Sequence, residues 1–148
     1  MTRRLVTLFA VVLVALCVPL AGQQESIDEL RAKAEQGDSI SQFELGLAYE
    51  TGRGVPEDGI EAARWYRLAA EQGVARAQAN LGFMYANGEG VPEDDVLAYM
   101  WWNLAAAQGY ENAQSNKDTI EEQMTREQIA EAQRLSREWL EAHPPGGT

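Results

Sequence analysis

Cysteine and histidine are almost absent from this chain of 148 residues, which contains one of each, Cys17 and His143. A single cysteine cannot form an internal disulfide or a thiolate metal site, and a single histidine excludes a histidine-rich site. Basic residues are also scarce, because 12 Lys and Arg stand against 23 Asp and Glu, and the formal net charge is −11. A nucleic-acid partner is therefore disfavoured, and we expect neither a metal nor a cofactor.

The N-terminus carries an apolar run that is typical of a secretory signal peptide, predicted here at residues 1–22. Arg3 and Arg4 precede the uncharged stretch Leu5–Gly22, which ends in small residues. We expect cleavage after Ala21 or Gly22, export, and a periplasmic location. The alternative is an uncleaved inner-membrane anchor with the rest of the chain facing the periplasm, since the run is just long enough to cross a bilayer. Membrane contact is expected only through this segment, if it is retained.

One segment of the chain returns after 36 residues. Residues 34–69 and 70–105 agree at 18 of 36 positions, and the best-preserved block reads TGRGVPED at Thr51–Asp58 and NGEGVPED at Asn87–Asp94. A third copy, residues 106–122, is only partial. Half identity in one register indicates a repeat architecture, in which each unit packs on its neighbours.

Each copy has the spacing of two amphipathic helices, because small and apolar residues recur at intervals of three and four positions. The two stripes of the first copy are Gln42, Leu45, Gly46 and Tyr49, followed by Ala62, Trp65, Leu68 and Ala69. The second copy repeats both stripes, so two helices can pack face to face in each copy. The absence of a side chain at Gly46 and Gly82 lets a neighbouring helix come close.

The repeated block between the two helices predicts a tight corner. Gly52 and Gly88 stand where a helix ends with positive φ, a conformation that glycine adopts without a Cβ penalty. Carboxylates such as Asp58 and Asp94 can then cap the N-terminus of the next helix. The block lacks the further oxygen ligands of a calcium loop, so we interpret it as structural.

Both ends of the array also carry helix signals. SIDE, Ser26–Glu29, is a capping-box pattern that opens a short helix similar to the second helix of a missing earlier repeat. TREQ, Thr125–Gln128, opens a second box before a C-terminal cap helix predicted at residues 126–142. We expect the solenoid to span residues 23–142 and to be followed by a flexible tail, 143–148.

The repeat resembles the Sel-one-like repeat (SLR), a relative of the tetratricopeptide repeat, through the pattern AxxGxxxAQxxLGxxYxxGxGVxxDxxxAxxWxxxAA. The chain matches this pattern twice in full and once in part. The resemblance implies an all-α fold, a right-handed α/α superhelical solenoid of 36-residue helix-turn-helix repeats with a C-terminal capping helix. It also implies protein contact as the function, often in exported bacterial proteins. Some cysteine-rich members are reported to bind penicillin or to have β-lactamase activity, but their paired cysteines are missing here.

An enzymatic function has weak support in the sequence. Gly37, Asp38 and Ser39 read as the nucleophile block of one hydrolase class, but the second copy has valine and alanine in place of the last two. We therefore interpret Ser39 as part of a helix start. His143 has no partner at a useful spacing, so we expect no catalytic residues and no enzyme.

The candidate partner-binding residues lie off the packing stripe of the first helix of each copy. In related solenoids this helix lines the inner face of the array. The candidates are Ile40, Phe43, Leu47, Arg76, Ala79, Phe83 and Asn87. For Ile40, Phe43 and Leu47 the alternative is that they pack as core on Ile27 and Leu30 of the preceding helix. Tyr66, Trp101 and Trp102 are interpreted as packing residues.

The sequence therefore predicts a non-catalytic protein–protein interaction or scaffold module that acts outside the cytoplasm. The acidic charge and the apolar inner-face candidates indicate a protein or peptide partner with basic and apolar residues. The alternative is an accessory or weak hydrolase in cell-wall or polysaccharide metabolism.

Overall fold

The computed structural model describes residues 25–144, and every regular element in this range is an α-helix. The helices are α1 (Ile27–Glu35), α2 (Ser39–Thr51), α3 (Gly59–Glu71), α4 (Ala75–Asn87), α5 (Asp95–Ala107), α6 (Glu111–Glu121) and α7 (Arg126–Ala142). From α1 to α6 each helix packs on the next, whereas α7 packs on α5. Helices α2, α4 and α6 start 36 residues apart, and so do α3 and α5. The predicted all-α solenoid is thus confirmed, whereas the predicted signal peptide lies outside the described residues.

The corners between paired helices have the predicted backbone. Gly52 ends α2 with φ 68° and Gly88 ends α4 with φ 66°, both in the left-handed region. The side chains of Asp58 and Asp94 accept hydrogen bonds from backbone N–H groups at the starts of α3 and α5. Pro56 lies two residues before the cap and is not part of α3. Each corner therefore stops one helix and starts the next within seven residues.

Both predicted capping boxes are present. Ser26 caps α1 together with Glu29, and Thr125 caps α7 together with Gln128, each pair exchanging two hydrogen bonds between side chains and backbone N–H groups. Each box satisfies two of the amide groups that a helix start leaves free. The first and last helices of the array therefore begin at positions that are determined locally.

The two helices of each pair meet at a glycine. A Cβ atom at Gly46 would lie 2.7 Å from Cδ1 of Tyr66 on α3, and one at Gly82 would lie 2.7 Å from Cδ1 of Trp102 on α5. Real Cβ atoms do not come this close to another heavy atom, so no side chain fits at either position without a shift. Glycine thus allows the ring of each second helix to lie directly on the backbone of the first.

Buried glutamines connect neighbouring turns of the array. Gln72 Nε2 donates to Gln42 Oε1 at 2.7 Å and to the Gly37 carbonyl at 3.0 Å. One repeat later, Gln108 donates to Gln78 Oε1 and to the backbone carbonyl of Gly73, both at 2.9 Å. Buried amides need such partners, because an unpaired polar group in the interior is costly. The repeated bonds hold each repeat in register with the next.

The core consists of two hydrophobic clusters of buried residues. Its larger part contains Tyr66, Trp101 and Trp102, which are all nearly fully buried, so their interpretation as packing residues is confirmed. A smaller cluster at the N-terminal end joins Leu30 to Trp65. Aromatic side chains bury large areas and account for much of the stability of such a small array.

Helix α7 closes the C-terminal end of the array. Its Trp139 meets Trp101 edge to face with ring centroids 6.4 Å apart, and Ala132 is fully buried against the rest of the core. The opposite side is solvated and carries an ion pair between Arg134 and Glu131 at 2.6 Å. One face of α7 therefore packs on the core, and the other is solvated.

Replacing Gly88 with valine should destabilise the fold. A β-branched residue in the left-handed conformation costs about 1 kcal/mol or more, and in a domain of this size each kcal/mol lowers Tm by roughly 3–6 °C. Thermal unfolding followed by circular dichroism measures the shift. Gly88→Asn is the control, because asparagine tolerates this conformation and should cost less. Equal melting of Gly88→Val and the parent would contradict a structural role for the corner.

Candidate functional site

The seven candidate residues lie on α2 and α4 and differ widely in exposure. Ile40, Arg76, Phe83 and Asn87 are exposed, Leu47 is half-buried, and Phe43 and Ala79 are buried. Ile40 is 59% exposed, so the alternative that it packs as core on Ile27 and Leu30 does not hold. The four exposed side chains are the ones that can contact a partner directly.

Phe43 belongs to the core, although its neighbours are not those expected from the sequence. It is 4% exposed and packs on Tyr66 of α3, with ring centroids 5.7 Å apart. The guanidinium of Arg76 lies over the Phe43 ring, 4.9 Å from its centroid. Phe43 therefore stabilises the position of the Arg76 side chain through a cation–π contact, and Arg76 itself remains exposed.

A polar pair lies beside this contact. The Tyr66 hydroxyl donates to Glu50 Oε2 at 2.5 Å, which joins α3 to α2. Burial and this hydrogen bond raise the pKa of the Tyr66 phenol well above its ordinary value, so the hydroxyl stays a donor across the physiological range. Glu50 is thus held by a structural hydrogen bond and is less available to a partner.

An open cleft of about 300 Å³ lies between α4 and α6, and we call it the α4–α6 cleft. Phe83 stands at its edge with 48% of its surface exposed, and Trp102 and Ile120 are the large buried apolar residues of its lining. Carboxylates of Glu93 and Asp95 lie on the same lining, and none of the lining residues is basic. The cleft combines apolar surface with negative charge, which suits an apolar side chain next to a cation.

Sequence reasoning found two of the residues in this cleft and missed the others. Phe83 and Asn87 were among the candidates, whereas Asn116, Thr119 and Gln123 of α6 were not. Asn116 and Thr119 follow Asn80 and Phe83 by 36 residues, so the repeat register contained their positions. Between these two positions the third copy departs from the repeat pattern, at Lys117 and Asp118. This departure kept Asn116 and Thr119 from being recognised as candidates.

The suspected hydrolase block is the start of α2. Asp38 is the N-cap residue, and its carboxylate accepts hydrogen bonds from the hydroxyl and the backbone N–H of Ser41. These bonds lower the pKa of Asp38. Ser39 is the first residue of the helix, so its interpretation as part of a helix start is confirmed.

Two further properties concern the part of the chain that the structure describes. In residues 25–144 no three His, Cys, Asp or Glu side chains are grouped so that they could hold a metal ion. Within the same range, no helix combines the length and apolar character needed to cross a membrane.

Paired helices stacked in a single array, with a glycine contact inside each pair, define the chain as an α/α solenoid protein. The family model of the Sel1 repeat matches residues 39–74 and 75–110, which contain α2 with α3 and α4 with α5. The two repeats therefore belong to the Sel1 repeat family, and the resemblance to the SLR is confirmed. Proteins of this family generally serve as non-catalytic scaffolds for protein–protein interaction.

Two solved structures illustrate the relationship. A protective antigen of uropathogenic Escherichia coli strains with an SLR fold is 36% identical over 78% of this chain, with a TM-score of 0.74. A Sel1 repeat protein from Oxalobacter formigenes is 36% identical over 62% of this chain, with a TM-score of 0.60. The matches span 25% and 37% of those two proteins, respectively. The comparison with curated proteins gave no match.

The two phenylalanines should respond differently to truncation. Phe43→Ala leaves a cavity beside Tyr66 and should lower the free energy of unfolding by about 3–5 kcal/mol. Phe83→Ala, the matched control on the next repeat, removes a half-exposed ring and should cost well under about 1 kcal/mol. Urea unfolding of both variants measures the difference. Equal losses of unfolding free energy would contradict the burial of Phe43 and the exposure of Phe83.

Proposed function

We propose that this chain is a non-catalytic interaction module that acts outside the cytoplasm and binds a protein or peptide through its inner face. The observation that carries the proposal is the exposed Phe83 ring in the acidic α4–α6 cleft. A large exposed aromatic next to unpaired carboxylates is a typical anchor point of an interface. The family's general use as a protein scaffold supports the same conclusion.

The chemistry of the inner face supports a partner with both apolar and basic residues. Phe83 offers apolar and π surface, and the carboxylates of Glu93 and Asp95 attract a Lys or Arg side chain. The formal net charge of −11 favours such a partner at long range as well. Arg76, held over Phe43, adds a single positive group that can pair with a partner's carboxylate or C-terminus.

Export is proposed from the N-terminal segment, which lies outside the described residues. Arg3 and Arg4 followed by the apolar stretch Leu5–Gly22 have the charge and length of a signal peptide. Acidic domains without cysteine are compatible with the periplasm, since they need no oxidation to fold. The similarity to a protective antigen is in keeping with a protein that leaves the cytoplasm.

Mass spectrometry of the protein purified from a Gram-negative host should give an N-terminus close to Gly22 or Gln23. A periplasmic extract is the expected source, because the small residues Ala21 and Gly22 suit a signal peptidase. An Arg3→Glu, Arg4→Glu variant, which inverts the charge before the apolar stretch, is the control and should remain unprocessed. Intact Met1 in the membrane fraction of the parent would instead favour the anchor.

Inner-face substitutions should weaken partner binding without unfolding the chain. Phe83→Ala and Arg76→Glu should each cost about 1–3 kcal/mol of binding free energy, the range of anchor residues. The probe is an affinity-selected peptide of alternating apolar and basic residues, and calorimetry gives its Kd. Ile60→Ala is the control, because Ile60 is 70% exposed on α3, away from the α4–α6 cleft.

Two results would contradict partner binding through the inner face. Unchanged affinity of the Arg76→Glu, Phe83→Ala double variant, with a circular-dichroism spectrum like that of the parent, would move the site elsewhere. Turnover of an ester or glycan by the purified chain, abolished by Ser39→Ala, would replace the binding module with the hydrolase alternative.

A further inference from the structure

Helix α1 is the second helix of a pair whose first helix is missing from the described residues. It ends at Glu35, 36 residues before the end of α3 at Glu71, so the two helices are equivalent. Helix α3 packs against α2 and helix α5 packs against α4, each within its own pair. Helix α1 packs on α2 of the following repeat, and its other side lacks a corresponding neighbour in residues 25–144.

That side of α1 forms a cleft of about 520 Å³, which we call the N-terminal cleft. It is lined by Glu25, Ile27, Leu30, Glu44, Ala48, Arg53 and Gly54. Leu30 is equivalent to Tyr66 and Trp102, the two rings that lie on glycines of α2 and α4. In both following repeats, the position that corresponds to the N-terminal cleft is thus occupied by a helix.

The α4–α6 cleft gives an internal check of this equivalence. Its lining includes Trp102, Asn116 and Ile120, which are the positions of Leu30, Glu44 and Ala48 two repeats later. There the remaining wall is α4 itself, through Phe83 and its neighbours. The two clefts therefore share two walls, and none of residues 25–144 forms the third wall of the N-terminal cleft.

We infer that the N-terminal cleft binds an amphipathic helix of a partner protein, in the place that α2 takes against α3. This continues the packing of the solenoid across two proteins. Helix-in-groove binding of this kind uses apolar residues at intervals of three and four. No residue that lines the N-terminal cleft lines the α4–α6 cleft or belongs to the seven candidates, so the two binding sites are distinct. The inference rests on the proposed removal of the signal peptide, because residues 3–15 precede α2 by 36 positions.

The residues of the cleft specify the chemistry of the helix. Leu30 replaces an aromatic ring, so the residue opposite it need not be glycine and can be a larger apolar side chain. Glu44 stands where Asn80 and Asn116 stand in later repeats, and its only described charged contact is to Arg53 at 3.4 Å. Because the ion pair with Arg53 uses only one oxygen of the Glu44 carboxylate, the other oxygen can accept from a Lys or Arg on the edge of the helix.

A second copy of the chain is a poorer fit as occupant. The helices that would have to enter the cleft are of the type of α2, α4 and α6, and each of these is already packed on the helices beside it. Supplying one of them to a second copy would open the core of the first copy. With the proposed signal peptide removed, the partner is assigned as a different protein, and dimerisation or binding of residues 1–24 becomes an outcome of the test.

The test uses the full chain and a helix-stabilised, fluorescent peptide with the sequence of α4 that carries Gly82→Leu. This peptide cannot displace α4, because even a Cβ at this position would lie 2.7 Å from the Trp102 ring. It can enter only where Leu30 replaces the ring. Fluorescence anisotropy should show saturable binding, and a peptide that also carries Leu81→Asp, which interrupts the apolar stripe, should bind at least about tenfold more weakly.

Matched variants of the chain locate the binding. Ile27→Glu places a carboxylate on the lining of the N-terminal cleft and should weaken peptide binding at least about tenfold. Ile60→Glu makes the same change at an exposed position outside the cleft and should leave binding unchanged. Phe83→Ala should also leave it unchanged, which separates this site from the inner face. Circular dichroism verifies that all three variants are folded.

Three outcomes would overturn the inference. The first is no binding of the Gly82→Leu peptide up to millimolar concentration, and the second is binding that Ile27→Glu does not alter. The third comes from a photoreactive benzoylphenylalanine at position 53, on the rim of the cleft. A cross-link from this position to the peptide supports the assignment, whereas a cross-link to residues 1–24 of the same chain or to a second copy assigns the cleft to that occupant.

Discussion

The contact between a glycine and an aromatic ring inside each helix pair is the constraint on which the other features of this solenoid depend. Tyr66 lies on Gly46 and Trp102 lies on Gly82 at distances that leave no space for a side chain. This brings the polar end of each ring to the first helix of the pair, where Tyr66 donates to Glu50 and Trp102 Nε1 donates to the carbonyl of Ala79. The close packing of each pair and the hydrogen bond from its ring are therefore set by the same contact.

Many of the packing positions described above are shared by the two repeats, whereas several exposed positions of α2 and α4 differ. Glycine, leucine and glutamine return after 36 residues and form the same contacts. Ile40 and Leu47 are replaced by Arg76 and Phe83 in the second copy. Packing restricts the shared positions because interiors are close-packed, whereas the solvated positions are free to vary. A recognition surface can thus change along the array without any change in the fold.

The two ends of the array are closed to different degrees. At the C-terminal end, α7 is the longest described helix and packs its apolar stripe on α5 through Trp139. At the N-terminal end, the described residues begin with the single second-type helix α1, and none of them fills the N-terminal cleft beside Leu30. A solenoid needs a polar outer surface at its ends to remain soluble, and α7 provides one. The open end is consistent with a site for a further helix.

The sequence by itself determined the helices, the corners and the register of the repeats. The 36-residue period and the local chemistry of Gly88 and Asp94 specify where each helix ends and begins, because capping and positive φ depend on neighbouring residues only. Phe43 and Phe83 were both candidates off the packing stripe of a first helix, and only the packed structure decided that Phe43 is buried against Tyr66 and that Phe83 is exposed. The residues of the α4–α6 cleft come together only when α6 packs on the preceding helices. The incomplete third copy did not reveal this, because contacts between distant segments depend on the whole packed array.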